Sequence, residues 1–543
     1  MDKIISITQL DSEVSPRKQS AIFRSWDDEI IYFIMLDRFH DGLNRTSIDS
    51  RTGFGDEEKL KSFCGGNLKG VLLKLDYIKA LGCTAIWLSP FLENDDKYHG
   101  YAIRNFLKVD PRFGSLEDLK LLVDECHKKD LRVIMDVVVN HSGDIWSYQE
   151  PSATYDKGKV YTFGAWKSRE WPVPIELRNP GLYNRRGSII NFDEYPETLE
   201  GDIFELKSFR NDHSPEARKV LELLASIYTY WIKEIGVDGF RIDAAKHFGI
   251  PALKQFVESI RDYTEKAGHQ DFFLFAEVAS GDDLAEEFLN EITGLNAVID
   301  FPLHFILPEM IRGNAYPDQF IKLMNHRKKL SEGKSKVTFL DNHDQLGQQV
   351  KKRFAADLSE KQFEFGIGFL FCFPGIPCLY YGTEQGLDGR GKSDNAVRES
   401  MFALDNQFED LFLQDNFYFK KIQEFSNIRK QFPALSKGGF KLLEVLELTK
   451  GVKYGNKKSI LAFSRTYESE LMLIICNFSS NKKIKGLVRP EKERYVGAFE
   501  KIKSTSSNSN NNFLEVKTEE NDSTIAVELE PFEILILKKI NGK

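Results

Sequence analysis

Eight short apolar runs, separated by stretches of helical periodicity, constrain this chain more than any other feature. The first, Ile30-Ile-Tyr-Phe-Ile-Met-Leu36, is continuous and apolar, as a strand buried on both faces must be. After a polar loop, Val71, Leu72, Leu75, Ile78 and Leu81 recur at helical spacing, and Gly82 closes that helix. A strand over 84–88 follows, then a helix over 116–129 and the strand Leu131-Arg-Val-Ile-Met-Asp136. A helical stretch over 215–234 leads into Ile235, Val237 and Phe240, and apolar runs at 272–276, 297–300, 337–340 and 378–381 complete the set. Strand, helix, strand at this period means parallel βαβ units. Eight strands in roughly 350 residues predict an α/β fold, a (β/α)8 TIM barrel, because an open doubly wound sheet would carry a Gly-rich phosphate loop after its first strand.

The alternation breaks twice. Between the third and fourth strands lies a long insert over 142–213, rich in aromatic residues that include Trp146, Trp166, Trp171 and Tyr183. Aromatics at a barrel mouth either stack on sugar rings or form the core of a small subdomain, and the sequence leaves both readings open. Beyond about residue 435 the helices stop, and strand-like runs at 459–463, 471–475 and 534–537 predict an antiparallel β-sandwich, with a polar low-complexity loop over 504–512. The predicted domains are therefore a barrel built from 1–141 and 214–435, the insert 142–213, and the sandwich 436–543.

Acidic residues outnumber basic ones, 82 to 74, which argues against a nucleic-acid partner and suits a neutral substrate. The six cysteines are scattered within apolar runs, with no C-x-x-C pair to suggest zinc or redox chemistry. Residues 1–20 lack the apolar core of a secretory signal, and no run is long enough to span a membrane. The expectation is a cytoplasmic protein that engages neither membrane nor nucleic acid; nothing in the sequence sets an oligomeric state.

The strand ends carry the chemistry. The third ends at Asp136 with Asn140 and His141 close behind, the fourth at Asp243, the fifth at Glu277, and the seventh at Leu340-Asp-Asn-His343-Asp344. Such a ring of acids is hard to explain as packing, since unpaired buried charges are costly. Two carboxyl groups flanking a bond, one ionised and one protonated, are what glycoside hydrolysis requires. Arg241, two residues from Asp243 and on the same strand face, should keep Asp243 ionised, while the apolar approach Phe272-Phe-Leu-Phe-Ala276 should raise the pKa of Glu277.

The stretches Asp136-Val-Val-Val-Asn-His141, Gly239-Phe-Arg-Ile-Asp-Ala-Ala-Lys-His247, Phe275-Ala-Glu277-Val and Phe339-Leu-Asp-Asn-His343-Asp344 resemble, in order and spacing, the four signature stretches of the α-amylase family of glycoside hydrolases. That resemblance implies a (β/α)8 barrel, an inserted domain B after the third strand, and a C-terminal β-sandwich. It makes Asp243 the nucleophile of a retaining, double-displacement mechanism, Glu277 the acid/base, and Asp344 the carboxylate that holds the sugar. By the same resemblance His141 and His343 bind hydroxyls of that sugar, Tyr101 stacks beneath it, and Lys246 and His247 line the leaving-group side. Asp394 and Arg398 grip the non-reducing side. The implied substrate is an α-glucan or α-glucoside, with Lys246 and His247 favouring α-1,4 bonds of maltooligosaccharides or starch and glycogen fragments. The alternatives are transglycosylation, action on small α-glucosides such as sucrose, trehalose or isomaltose, and, remotely, an inactive carbohydrate-binding relative. The chemistry needs no cofactor. Many members hold a structural calcium, which here would fall to Asn140, the carbonyl of His247 and Glu205, with Lys207 nearby disfavouring it.

Overall fold

The computed structural model describes residues 5–10, 22–42, 59–327, 333–346, 348–402, 410–448, 459–489, 497–506, 513–519 and 522–540. Of the N-terminal stretch read for a signal only 5–10 and of the predicted polar loop only 504–506 fall among them. Eight parallel strands, β1 (Ile31–Ile34), β2 (Ala85–Leu88), β3 (Arg132–Val138), β4 (Gly239–Asp243), β5 (Phe273–Ala276), β6 (Ala297–Ile299), β7 (Ser335–Phe339) and β8 (Ile376–Tyr380), pair in chain order, and β8 closes on β1. In register, Tyr32 of β1 stands opposite Ile86 of β2 on one side and Leu379 of β8 on the other. Every residue of β1, β2, β3, β4, β5, β6 and β8 is buried, as expected when helices cover the outside and side chains fill the inside of a closed sheet.

The helices between the strands follow local rules. Pro215–Ile235 starts where the Ser214 hydroxyl accepts the Ala217 amide, carries Pro at its first turn, and ends where Gly236 takes the left-handed conformation (φ 71°). Val220, Leu224, Ile227, Tyr228, Trp231 and Ile235 fall on one stripe and are buried against the barrel. The helix read from Val71 to Gly82 is two, Leu68–Leu73 and Leu75–Leu81, broken at Lys74 (φ −109°, ψ 11°), and the first starts earlier than the apolar pattern suggests because the Asn67 side chain caps it by accepting the Gly70 amide. No helix among the described residues is long and apolar enough to cross a membrane.

The insert leaves β3 through the pairing of His141–Ser142 with Lys207–Ser208. Its centre is aromatic: Trp146 and Tyr183 are fully buried, with ring centroids 5.6 Å apart, and Tyr148, Phe163 and Phe209 pack around them. Between the two open readings, these residues are the insert's own core. Beyond the barrel, eight antiparallel strands, β9 (Gly439–Glu447), β10 (Ile460–Tyr467), β11 (Glu470–Asn477), β12 (Ile484–Arg489), β13 (Gly497–Ser504), β14 (Phe513–Glu519), β15 (Asp522–Leu529) and β16 (Glu533–Lys539), form a closed antiparallel sheet. Side chains alternate along them: Ile460, Leu473, Ile475 and Leu537 face the interior of this sheet, while Phe463, Ile474 and Ile536 join the main core. Phe463 meets Phe369 of the helix Glu360–Cys372 at 5.7 Å.

Candidate active site

Asp243 is the last residue of β4, and the chain turns at once: Ala244 adopts φ 51°, ψ 33°, a conformation that costs a residue with a Cβ about 1 kcal/mol or more. The turn directs the Ala244 amide at Glu277, whose Oε2 accepts it at 3.0 Å. Because β4 pairs with β5, the two carboxyl groups stand on neighbouring strands at the same rim.

Arg241 ties them together. Its guanidinium is 1% exposed; Nη1 donates to Asp136 Oδ1 and Asp243 Oδ1, both at 2.7 Å, and Nη2 meets Glu277 Oε2 at 2.8 Å. One cation thus serves three carboxyl groups, which corrects the expectation that Arg241 singles out Asp243. A second correction concerns Asp136: β3 runs on to Val138, so Asp136 lies inside the barrel beneath the rim, laterally opposite Arg241. Its other oxygen accepts from Trp87 Nε1 at 3.0 Å and from Tyr101 Oη at 2.9 Å.

A buried cluster with more acids than cations holds its carboxyl groups protonated to higher pH. Burial pushes Glu277 up to about 7, with Arg241 opposing and Asp243 and Asp344 adding to the rise. Burial raises Asp243 also, again against Arg241 and with Asp136 and Asp344 adding. The two rim groups therefore compete for protons as a pair, and the division of roles comes from the pair rather than from one neighbour. Asp344 goes the other way: burial would raise it, but His343, Arg398 and Arg241 hold it down at about 2.

The remaining predicted residues gather around this trio. Tyr101 lies nearly parallel to His343, centroids 5.5 Å apart, with its hydroxyl 3.0 Å from His343 Nε2. His141 Nε2 stands 4.0 Å from Asp243 Oδ2 and has no hydrogen-bond partner among the described residues, so it is free to meet a substrate hydroxyl. Burial keeps both histidines neutral, each lowered to about 3. Arg398 is turned to Asp344 (2.5 Å), the His343 carbonyl (2.9 Å) and the Tyr98 hydroxyl (2.9 Å), so in this structure it holds the carboxylate. Asp394 accepts the Gln345 amide at 2.9 Å. Lys246 pairs with Asp193 of the insert at 2.5 Å, and His247 Nδ1 lies 2.9 Å from the Thr198 carbonyl. All the predicted catalytic and substrate-binding residues line one open cleft of about 2210 Å³ except Arg241 and His343, which lie behind it.

The predicted calcium ligands have other partners. Glu205 Oε1 pairs with Lys97 Nζ at 2.9 Å, the His247 carbonyl accepts the Asn211 amide at 3.0 Å, and the Asn140 carbonyl accepts the Phe209 amide at 2.9 Å. Among the described residues no three His, Cys, Asp or Glu side chains converge to hold a metal ion. With an amide on the His247 carbonyl and an ammonium on Glu205, the set does not offer the six to eight oxygens free to coordinate that a calcium ion needs.

Sequence reasoning gave Asp136 no role of its own and missed Tyr98, and both support the site from behind. It also missed Phe192, Tyr195 and Phe204 of the insert, which line the cleft on the side of Lys246 and His247. Tyr195 and Phe204 are 74% and 65% exposed, and the Phe192 ring lies 5.5 Å from Phe204 and 5.7 Å from His247. Phe192 and Tyr195 stand among Asn, Asp and Glu, but the buried Trp146 also lies in a polar stretch, Asp144 to Glu150, so composition alone did not mark them.

A family model described as "Alpha amylase, catalytic domain" matches residues 33–417. An α-amylase of Streptomyces lividans is 29% identical over 71% of this chain and 48% of its own length, and a cyclomaltodextrin glucanotransferase of Klebsiella oxytoca is 26% identical over 83% and 70%. The chain thus spans about half of the first relative. Among solved structures, the α-amylase of Geobacillus thermoleovorans, complexed with acarbose, superposes with a TM-score of 0.71 at 26% identity, covering 96% of this chain and all of that one.

Proposed function

The chain belongs to the α-amylase family of glycoside hydrolases, and from that premise we propose that it is a retaining enzyme cleaving α-1,4 bonds of maltooligosaccharides or of starch and glycogen fragments. The observation that carries the proposal is the pair Asp243 and Glu277 on adjacent strand ends, bridged by Arg241, with Asp344 held ionised across the cleft. In the first displacement the Asp243 carboxylate attacks the anomeric carbon while Glu277 gives its proton to the departing glycosidic oxygen, leaving a glycosyl ester on Asp243. In the second, Glu277, now a carboxylate, takes a proton from water as that water attacks the same carbon and frees Asp243. A carboxyl group that titrates near 7 can hold the proton needed in the first step and accept one in the second close to neutrality. Asp344, ionised at every working pH, accepts sugar hydroxyls and stabilises the developing cation. A cleft of about 2210 Å³ exceeds the roughly 300–1,000 Å³ of a small-ligand pocket and suits an oligosaccharide. A cytoplasmic location is part of the proposal; the six cysteines, all buried free thiols, suit a reducing compartment.

A second reading, transglycosylation, is favoured by one feature: the exposed rings of Phe204 and Tyr195 beside Phe192 offer a stacking surface where an acceptor sugar would replace water. Product analysis of maltotriose digests distinguishes the two. Glucose and maltose alone support hydrolysis; products longer than the substrate, reduced when Phe204 is changed to Ser, support transfer. Absence of any product from maltooligosaccharides would remove both.

A further inference from the structure

We propose that Asn211 and Lys207 anchor the insert to the barrel rim with hydrogen-bond donors and an internal ammonium, in the place where a calcium-dependent fold uses a divalent cation. Asn211 Nδ2 donates to two backbone oxygens at once, Leu199 O of the insert at 2.9 Å and His247 O of the loop after β4 at 3.0 Å. Two carbonyl oxygens from different segments closing on one point is the arrangement a hard cation needs. An amide nitrogen carries two hydrogens and offers no lone pair, so it satisfies both oxygens and leaves no room for a cation between them. The orientation of that amide is set by Asn184, whose Nδ2 donates to Leu199 O at 3.2 Å and to Asn211 Oδ1 at 3.5 Å, which turns the Asn211 nitrogen to the carbonyls.

Lys207 answers the charge at the same seam. Its side chain is 8% exposed, with Nζ 3.4 Å from Asp144 and 3.9 Å from Asp202, and the rings of Trp146 and Tyr148 lie 5.2 and 5.1 Å away. Asp202 is fully buried and accepts from the Tyr148 hydroxyl at 2.6 Å and the Ser208 amide at 2.9 Å. Two acids and two aromatic faces therefore converge on one ammonium, which supplies locally the positive charge that the buried Asp202 demands. The pairing of Ser142 with Lys207 and of His141 with Ser208 ties the backbone that carries Lys207 to the segment that follows Asn140. The consequence reaches the cleft. The segment held by Asn211 through the His247 carbonyl also carries Lys246, so the leaving-group rim is positioned without metal.

Thermal unfolding of the metal-stripped full chain in EDTA and in calcium chloride tests this. The wild type is expected to show the same Tm in both. Asn211→Asp sets a carboxylate oxygen against two carbonyl oxygens, a site only a cation relieves; its Tm is expected to fall in EDTA and to rise with the logarithm of calcium concentration, as a ligand bound to the native state alone requires. Should Asn211→Asp fail to fold without metal, its soluble yield on refolding with and without calcium decides the same question. A wild-type Tm that drops in EDTA and returns with calcium overturns the proposal, and so does an Asn211→Asp protein indifferent to calcium in both measurements.

Discussion

Asp136 never touches the cleft, yet its charge should be legible in the pH profile. Its Oδ1 and Asp243 Oδ1 each lie 2.7 Å from the same Arg241 nitrogen, so they are no more than about 5.4 Å apart. Two like charges at that distance repel by about 3 kcal/mol at an effective dielectric of ~20. That corresponds to roughly two pKa units. Asp136→Asn removes this repulsion and leaves the Arg241 charge to fewer partners, and both changes lower the pKa of Asp243. Turnover needs Asp243 ionised, so the acid limb of kcat/KM should move down by about one to two pH units. The alkaline limb, set by loss of the Glu277 proton, should move less, because Glu277 takes the other guanidinium nitrogen while Asp136 and Asp243 share Nη1. The maximum should fall about 10- to 100-fold, since one charge-assisted hydrogen bond of about 1.5–3 kcal/mol that orients Arg241 is lost. Measuring kcat/KM with a chromogenic maltooligosaccharide from acid to alkaline pH gives both limbs at once. An acid limb that stays in place or moves upward would refute the assignment of that limb to Asp243 in the field of Asp136.

Other expectations are more direct. Asp243→Asn should abolish turnover, while Glu277→Gln should still bind substrate and react slowly with a glycosyl fluoride, whose leaving group needs no proton; equal inactivity toward fluoride and starch fragments would remove Glu277 from the acid/base role. Maltotriose should be cleaved with higher kcat/KM than isomaltotriose or panose if Lys246 and His247, which line the cleft, meet the secondary hydroxyls of an α-1,4-linked leaving sugar as proposed; a preference for the α-1,6 substrates would sink that reading. Trp146→Ala should destabilise the insert by about 3–5 kcal/mol, since the fully buried ring packs against Tyr148, Phe163 and Tyr183, and an unchanged denaturant midpoint would show that the insert's core lies elsewhere.

The barrel was legible because its strands are buried on both faces and its helices on one, so burial imposes periods of apolar residues that can be read without coordinates. The rim acids were legible for a related reason: strands of a parallel barrel all end on one side, so Asp243, Glu277 and the Asp344 loop had to meet. What a one-dimensional pattern does not carry is which partner a charged atom chooses. Arg241 stands two residues from Asp243, and that contact was readable; its second nitrogen reaches Glu277 on the next strand, which depends on the register of β4 against β5. The insert shows the same limit, for Trp146 and Phe204 are both aromatic residues in one irregular loop, one fully buried and one 65% exposed, with no periodicity to separate them. The calcium question, which the sequence left open with Lys207 counting against it, turned on contacts between segments distant in sequence, where Asn211 takes the His247 carbonyl and Lys97 takes Glu205. The sequence alone thus determined the barrel and the set of groups at its mouth, because both follow from burial and chain direction; tertiary structure decided how protons, charges and hydrogen-bond donors are shared among those groups, because that depends on distances of a few ångströms between atoms that no sequence spacing specifies.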